Sequence, residues 1–272
     1  MEPDDPIDAS LVLAGAAHRR SRRSALSILR SAALALSDLI LPPSCVACQR
    51  RLAGHDTLCP SCWRRIDFIR SPLCDRLGIP LPFDTGGPLI SAAAVAHPPD
   101  FGRARAAALY SGVMRDLIHD LKYGDTHHAR RLFGRWLVEA GRDLIADCDV
   151  IVAIPLARRR MLTRRFNQSQ ILANEVSRLS GKTVAPLALV RTRATRSQVG
   201  LSRTERERNV SGAFAVRPGQ ASRIAGKAVL LIDDVITTGA TANATARVLL
   251  RAGAARVDVL ALAIAGDTPV SS

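Results

Sequence analysis

Two sets of residues in this chain of 272 have the types and spacing that chemistry needs. The first is the stretch Val229-Leu230-Leu231-Ile232-Asp233-Asp234-Val235-Ile236-Thr237-Thr238-Gly239-Ala240-Thr241. The uncharged run Val229–Ile232 reads as a strand buried on both faces, as in a parallel sheet. Asp233 and Asp234 then fall at its carboxyl end, where open α/β sheets bind ligands. The turn 235–241 offers the hydroxyls of Thr237, Thr238 and Thr241 and a series of backbone N–H groups, and Gly239 can take positive φ. Thr241 is placed to open a helix, whose N-terminus attracts anions. Two carboxylates for hydroxyls beside a cradle for an anion fit a sugar phosphate. The Gly-x4-Gly-Lys-Ser/Thr loop of a Walker nucleotide triphosphatase is not present in this stretch.

The second set is Cys45-x2-Cys48 and Cys59-x2-Cys62, with ten residues between the pairs. Each pair can grip one tetrahedral ion from one side, and four thiolates leave no open position, so the zinc they would hold is structural. Two disulfides are the alternative, disfavoured in a reducing compartment, and no export signal is legible. Few apolar residues lie between Cys45 and Cys62, so metal binding has to supply much of the local folding energy, on the order of 10 kcal/mol. Cys148 reads as a small core residue and Cys74 as a surplus thiol near this metal module. His55 reads as a loop residue.

These sets need elements to position them. Arg105–Tyr110 reads as a short strand, Gly112–Tyr123 as a helix with Val113, Leu117, Ile118 and Leu121 inward, and Leu132–Leu144 as another helix. Asp149–Pro155 is a buried strand. The arginines 158, 159, 160, 164 and 165 and Phe166-Asn167-Gln168 follow it. A helix then runs from about Gln168 to Leu179, with Leu172, Val176 and Leu179 inward and Gly181 as its stop. Leu187–Val190 is a further apolar run, and 191–209 is a long polar stretch of the kind that forms functional loops. An exposed helix of alternating Arg and Glu is its other reading. Phe214–Val216, a helix Thr241–Ala252 with Gly253 as stop, and a strand Val257–Ile264 complete the chain. Alternating strands and helices imply a mostly parallel sheet with crossover connections. No internal repeat is legible. The Pro- and Gly-rich stretch 76–104 reads as a connector.

Hydrophobic residues are 47% of the chain but aromatics only 4%, so Ala, Leu, Val and Ile must build the core. The net charge of +14 favours phosphates, nucleic acid or a membrane face as partner. Residues 1–40 read as a disordered tail followed by an amphipathic helix. The apolar run 25–41 is interrupted by Arg30 and Asp38, too short and too charged for a membrane span. A cytoplasmic location is the expectation.

The Asp233–Thr241 stretch resembles the 5-phosphoribosyl-1-pyrophosphate (PRPP) motif of type I phosphoribosyltransferases. The whole chain from Cys45 onward resembles the ComF family, also called competence-protein F or amidophosphoribosyltransferase-like. The matching residues are the four cysteines, Leu121-Lys122-Tyr123-Gly124-Asp125, Ile154-Pro155-Leu156, Arg164-Arg165-Phe166-Asn167-Gln168, Arg193-x2-Arg196-x-Gln198, Arg206-x2-Asn209 and Phe214. Relatives often carry Gly where this chain has Arg165. The resemblance implies a zinc-ribbon module at 41–75 and a type I phosphoribosyltransferase domain at 105–272. It implies PRPP bound with Mg²⁺ by Asp233 to Thr241, with Asp233 and Asp234 catalytic, and pyrophosphate met by Pro155, Leu156, Arg164 and Arg165. Arg196 and Arg206 would lie in a closing segment, and Lys122 would either reach a phosphate or be a surface lysine. It also implies a link to DNA uptake. Two functions follow from the basic loops: transfer of a phosphoribosyl group to an acceptor the sequence does not name, or non-catalytic binding of single-stranded DNA or a helicase-like competence ATPase.

Overall fold

The computed structural model describes residues 42–84, 86–123, 129–156, 166–195 and 202–265. The expected tail and amphipathic helix at 1–40, Arg158–Arg160, Arg164, Arg165 and Arg196 lie outside these residues. Seven strands are formed among the described residues: β1 (Ala104–Leu109), β2 (Val150–Ala153), β3 (Thr183–Val184), β4 (Leu189–Arg191), β5 (Phe214–Val216), β6 (Ala228–Ile236) and β7 (Arg256–Ile264). The helices are α1 (Pro60–Trp63), α2 (Ala92–Ala96), α3 (Gly112–Tyr123), α4 (Ala129–Ala140), α5 (Arg142–Asp147), α6 (Gln168–Ser180), α7 (Arg203–Val210) and α8 (Ala240–Arg251).

The main sheet is wholly parallel, in the order β1-β7-β6-β2-β3. Chain crossovers turn in opposite directions at its centre. From β2 the chain returns through α6 to β3 on one side, and from β6 it returns through α8 to β7 on the other. Right-handed crossovers place two such helices on opposite faces, and the packing follows. Leu172, Ala173 and Val176 of α6 join α3, α4 and α5 over Leu230 and Ile232. Ala242, Ala246 and Leu249 of α8 cover Val229, Leu231 and Val259 from the other side. The strict alternation along β6 is what lets an uninterrupted apolar run serve two cores at once.

The expected helix 132–144 is two helices, because the chain turns at Gly141, where a Cβ would come within 2.6 Å of the Leu260 side chain. Leu179 faces out, 40% exposed, rather than inward. Gly181 stops α6 as expected, at φ 74°. The apolar run expected at 187–190 pairs instead over Leu189–Arg191, antiparallel with β5, as a two-stranded ribbon apart from the main sheet. The polar stretch 191–209 contains α7, which starts on a reciprocal cap: the Ser202 hydroxyl accepts from the Glu205 N–H and the Glu205 carboxylate accepts from the Ser202 N–H.

Candidate functional site

β6 outlasts its neighbour. Its pairing with β2 ends at Ile232, while its pairing with β7 continues to Ile236. Asp233 and Asp234 therefore lie inside the strand on the β7 side but beyond it on the β2 side, at the point where the crossovers diverge. Open α/β sheets place ligand crevices at this switch point. The Asp233 Oδ1 accepts from the Asp234 N–H at 2.9 Å and from the Ser169 hydroxyl at 3.2 Å. The Asp234 Oδ1 accepts from the Val235 N–H at 2.7 Å, and its Oδ2 lies 2.8 Å from the Lys122 ammonium. Burial, together with the neighbouring Asp234 charge, raises the Asp233 carboxyl to about 7, against the pull of the Asp234 N–H, Lys122 and Ser169.

A cleft of about 290 Å³ opens over these acids. Its floor is Asp233, Asp234, Val235, Ile236, Thr237, Gly239 and Thr241, and its far wall is Ile154, Pro155 and Leu156 at the end of β2. Gly239 caps α8 at φ 76°, in the left-handed region that L side chains rarely adopt, so Thr241 sits in the first turn rather than at the cap. The Thr238 hydroxyl is buried without a hydrogen-bond partner. Ala240 turns its methyl into a small apolar cluster with Val210, Ala213 and Phe214, which ties the loop to α7 and the β4–β5 ribbon. From that side Arg191, Thr195 and Arg206 complete the cleft. Arg191 is held over the Phe214 ring, 5.0 Å from its centroid, and donates to the Thr195 hydroxyl. The Nε of Arg206 is buried without a partner.

Of the residues expected at the site, the structure brings together Asp233 to Thr237, Gly239, Thr241, Pro155, Leu156 and Arg206. Sequence reasoning did not single out Ser169, named Gln168 only within a family motif and Arg191 and Thr195 only as part of the 191–209 stretch, and left Lys122 between phosphate contact and surface residue. Lys122 is a half-buried partner of Asp234. Gln168 is 1% exposed, donates to the Lys122 carbonyl at 3.4 Å, and has its Oε1 unpartnered in the cleft wall. The signal was the Phe166-Asn167-Gln168 segment: Asn167 caps α6 through its side chain and donates to the Ile154 carbonyl at 3.0 Å, which aims the first turn of α6 at the acids.

The four cysteines converge as their spacing predicts. All four sulfurs lie within 4.8 Å of one another, and the Cys48 and Cys59 sulfurs are 3.7 Å apart. A zinc tetrahedron with bonds of ~2.3 Å has sulfurs ~3.8 Å apart, whereas a disulfide needs ~2.05 Å. All are free thiols. Burial and the three neighbouring sulfurs push Cys62 up to about 12, while hydrogen bonds from Ser61 and Cys62 hold Cys59 near 6. Four thiolates so close need a cation among them, and the donor set fits one structural zinc. The module packs its Cys45, Val46, Cys59, Cys62 and Ile66 into the core beneath α3 and α4.

Two family profiles match the chain, one over each part. A family profile described as a double zinc ribbon domain matches residues 36–93, and one described as a phosphoribosyl transferase domain matches residues 168–270. The DNA utilization protein YhgH of Escherichia coli K12 is 33% identical over 240 residues, covering 82% of this chain and 98% of that protein. Competence protein F of Haemophilus influenzae is 26% identical over 225 residues, covering 80% and 96%. Among solved structures, the glutamine PRPP amidotransferase of Bacillus subtilis aligns over 52% of this chain and 30% of its own, at 20% identity and a TM-score of 0.36. No helix among the described residues is long and apolar enough to cross a membrane. With its cysteine cluster, its parallel sheet and relatives that match across nearly their full length, the chain belongs to the ComF family, a phosphoribosyltransferase-type domain behind a zinc ribbon.

Proposed function

We propose that this protein binds PRPP with Mg²⁺ in the cleft over β6 and transfers its phosphoribosyl group to an acceptor. One observation carries the reading: an acid pair, a glycine-capped loop of threonines and the cationic groups of Arg191, Arg206 and Lys122 face a single cleft at the switch point of a parallel sheet. Asp233 and Asp234 would accept from the ribose hydroxyls and favour the positive charge that builds at the anomeric carbon. The 5′-phosphate would take the N–H groups and hydroxyls of 237–241, including the unpartnered Thr238 hydroxyl. Pro155, Leu156 and Arg206 would border the pyrophosphate. The magnesium ion would neutralise pyrophosphate charge, bound mostly by ligand oxygens and water. Attack of the acceptor on C1′ breaks the bond to pyrophosphate, which leaves with that electron pair, and the acceptor releases its proton to solvent or to a cleft carboxylate. Ionised Asp233 is the form required, so its raised pKa makes the site sensitive to pH near neutrality.

The names of the relatives support a role in DNA uptake or use, and the charge of +14 is favourable for a nucleic-acid partner. Titration calorimetry with PRPP and Mg²⁺ tests the reading against the non-catalytic one. Binding should be magnesium-dependent and lost in Asp234→Asn. A folded protein that ignores PRPP yet binds single-stranded DNA with a steep salt dependence would favour the accessory role.

A further inference from the structure

The described residues of 72–96 repeat four backbone hydrogen bonds of the zinc module. In the module, the Cys45 N–H donates to the Arg50 carbonyl at 2.8 Å, and the Cys45 carbonyl accepts from the Gln49 N–H at 2.9 Å. Val46 donates to Thr57 at 3.1 Å, and Leu52 to Pro43 at 2.8 Å. Each bond has a counterpart: Cys74 to Ile79 at 2.8 Å, Gly78 to Cys74 at 2.7 Å, Asp75 to Leu89 at 2.8 Å, and Leu81 to Pro72 at 2.9 Å. The turn residue takes positive φ in both, 60° at Gln49 and 68° at Gly78. A short helix follows in both, α1 capped by Cys59 and α2 capped by Ser91. The Cys59 N–H meets the Cys45 sulfur at 3.3 Å, and the Ser91 N–H meets the Cys74 sulfur at 3.2 Å.

The correspondence assigns each ligand position. Cys45, Cys48, Cys59 and Cys62 align with Cys74, Leu77, Ser91 and Ala94. Leucine and alanine offer no donor, and one thiol with one hydroxyl falls short of the four ligands of a structural zinc. Protein contacts stand in place of metal. Leu77 and Ile79 pack on the core beneath α8. Arg105 of β1 holds Asp75 at 2.7 Å and the Asp75 carbonyl at 2.9 Å, and Arg76 donates to the Pro99 and Phe101 carbonyls at 3.0 and 2.9 Å. Gly78 lies so close to β1 that a Cβ would come within 2.5 Å of the Ala104 carbonyl oxygen.

We propose that residues 72–96 are a second ribbon that has exchanged its metal for contacts with the main domain, and that its centre is a latent zinc site lacking only three thiols. The double-ribbon profile, which spans 36–93, agrees with two modules where the residue types display one. The Pro- and Gly-rich stretch read as a connector is then largely the second ribbon. This inference does not depend on the PRPP reading.

The test counts zinc on the full chain by mass spectrometry. Wild type should hold about one zinc, Leu77→Cys/Ser91→Cys/Ala94→Cys about two, and the same triple variant with Cys74→Ser again about one. With cobalt in place of zinc, thiolate charge-transfer absorption should roughly double in the triple variant. Two zinc ions in wild type, or one in a folded triple variant, would overturn the proposal. Should the triple variant not fold, hydrogen exchange on wild type after chelation decides: 42–66 should lose protection while 72–96 keeps it. Equal loss in both segments would overturn the proposal.

Discussion

Asp233→Asn should make this protein more stable while weakening its grip on PRPP. Burial and the adjacent Asp234 lift the Asp233 carboxyl from its ordinary 3.8 to about 7. A tenfold change in proton affinity is ~1.4 kcal/mol, so holding the charge there costs the fold on the order of a few kcal/mol. The sign follows from proton linkage. Below pH ~4 the acid is neutral in both folded and unfolded chains. Between ~4 and 7 the unfolded chain ionises and the folded one does not, so stability falls as pH rises, and above 7 the cost is fully present. Asparagine has the shape of the neutral acid, and its Oδ1 can still accept from Ser169 and from the Asp234 N–H. The variant should match wild type near pH 4 and exceed it at pH 8. Each kcal/mol is worth ~2–4 °C in Tm for a domain of this size, so a gain of at least ~3 °C is expected by scanning fluorimetry at pH 8. An Asp233→Asn protein that melts at or below wild type at pH 8 would refute the account of this carboxylate as a half-buried charge held at a cost to stability and kept for function.

The remaining expectations concern the same cleft and the metal. PRPP affinity in wild type should rise about tenfold per pH unit below pH ~7 and level off above it, and Asp233→Asn should flatten that dependence in calorimetry. Lys122→Met removes the cation 2.8 Å from Asp234, so the midpoint of the PRPP pH profile should move upward; an unmoved or lowered midpoint would contradict the pairing. Arg206→Ala should weaken PRPP binding by roughly 10- to 100-fold, the loss of one hydrogen bond to a charged group, without lowering Tm by more than a degree or two. Cys59→Ser should abolish the stoichiometric zinc and expose 42–66 to proteolysis.

Features local in the chain were legible without a structure. The strand Val229–Ile232, the acids after it and the stop at Gly181 follow from periodicity and turn chemistry. The zinc cluster follows from two Cys-x2-Cys pairs, because a three-residue offset is itself a chelating geometry. Other features needed the fold, since they join residues far apart or repeat without repeating residue types. Ser169 meets Asp233 and Lys122 meets Asp234 only because α3 and α6 are brought to the same strand end. The antiparallel pairing of β4 with β5, which sets Arg191 and Arg206 over the cleft, carries no turn signal, because a helix and a polar segment separate its strands. The second ribbon is invisible to composition, since only Cys74 of its four positions is a cysteine, and its repeat lives in backbone hydrogen bonds. The residues by themselves determined which groups have chemistry to offer. Tertiary structure decided which of them share a cleft, because opposite crossovers from β2 and β6 leave the crevice where those residues converge.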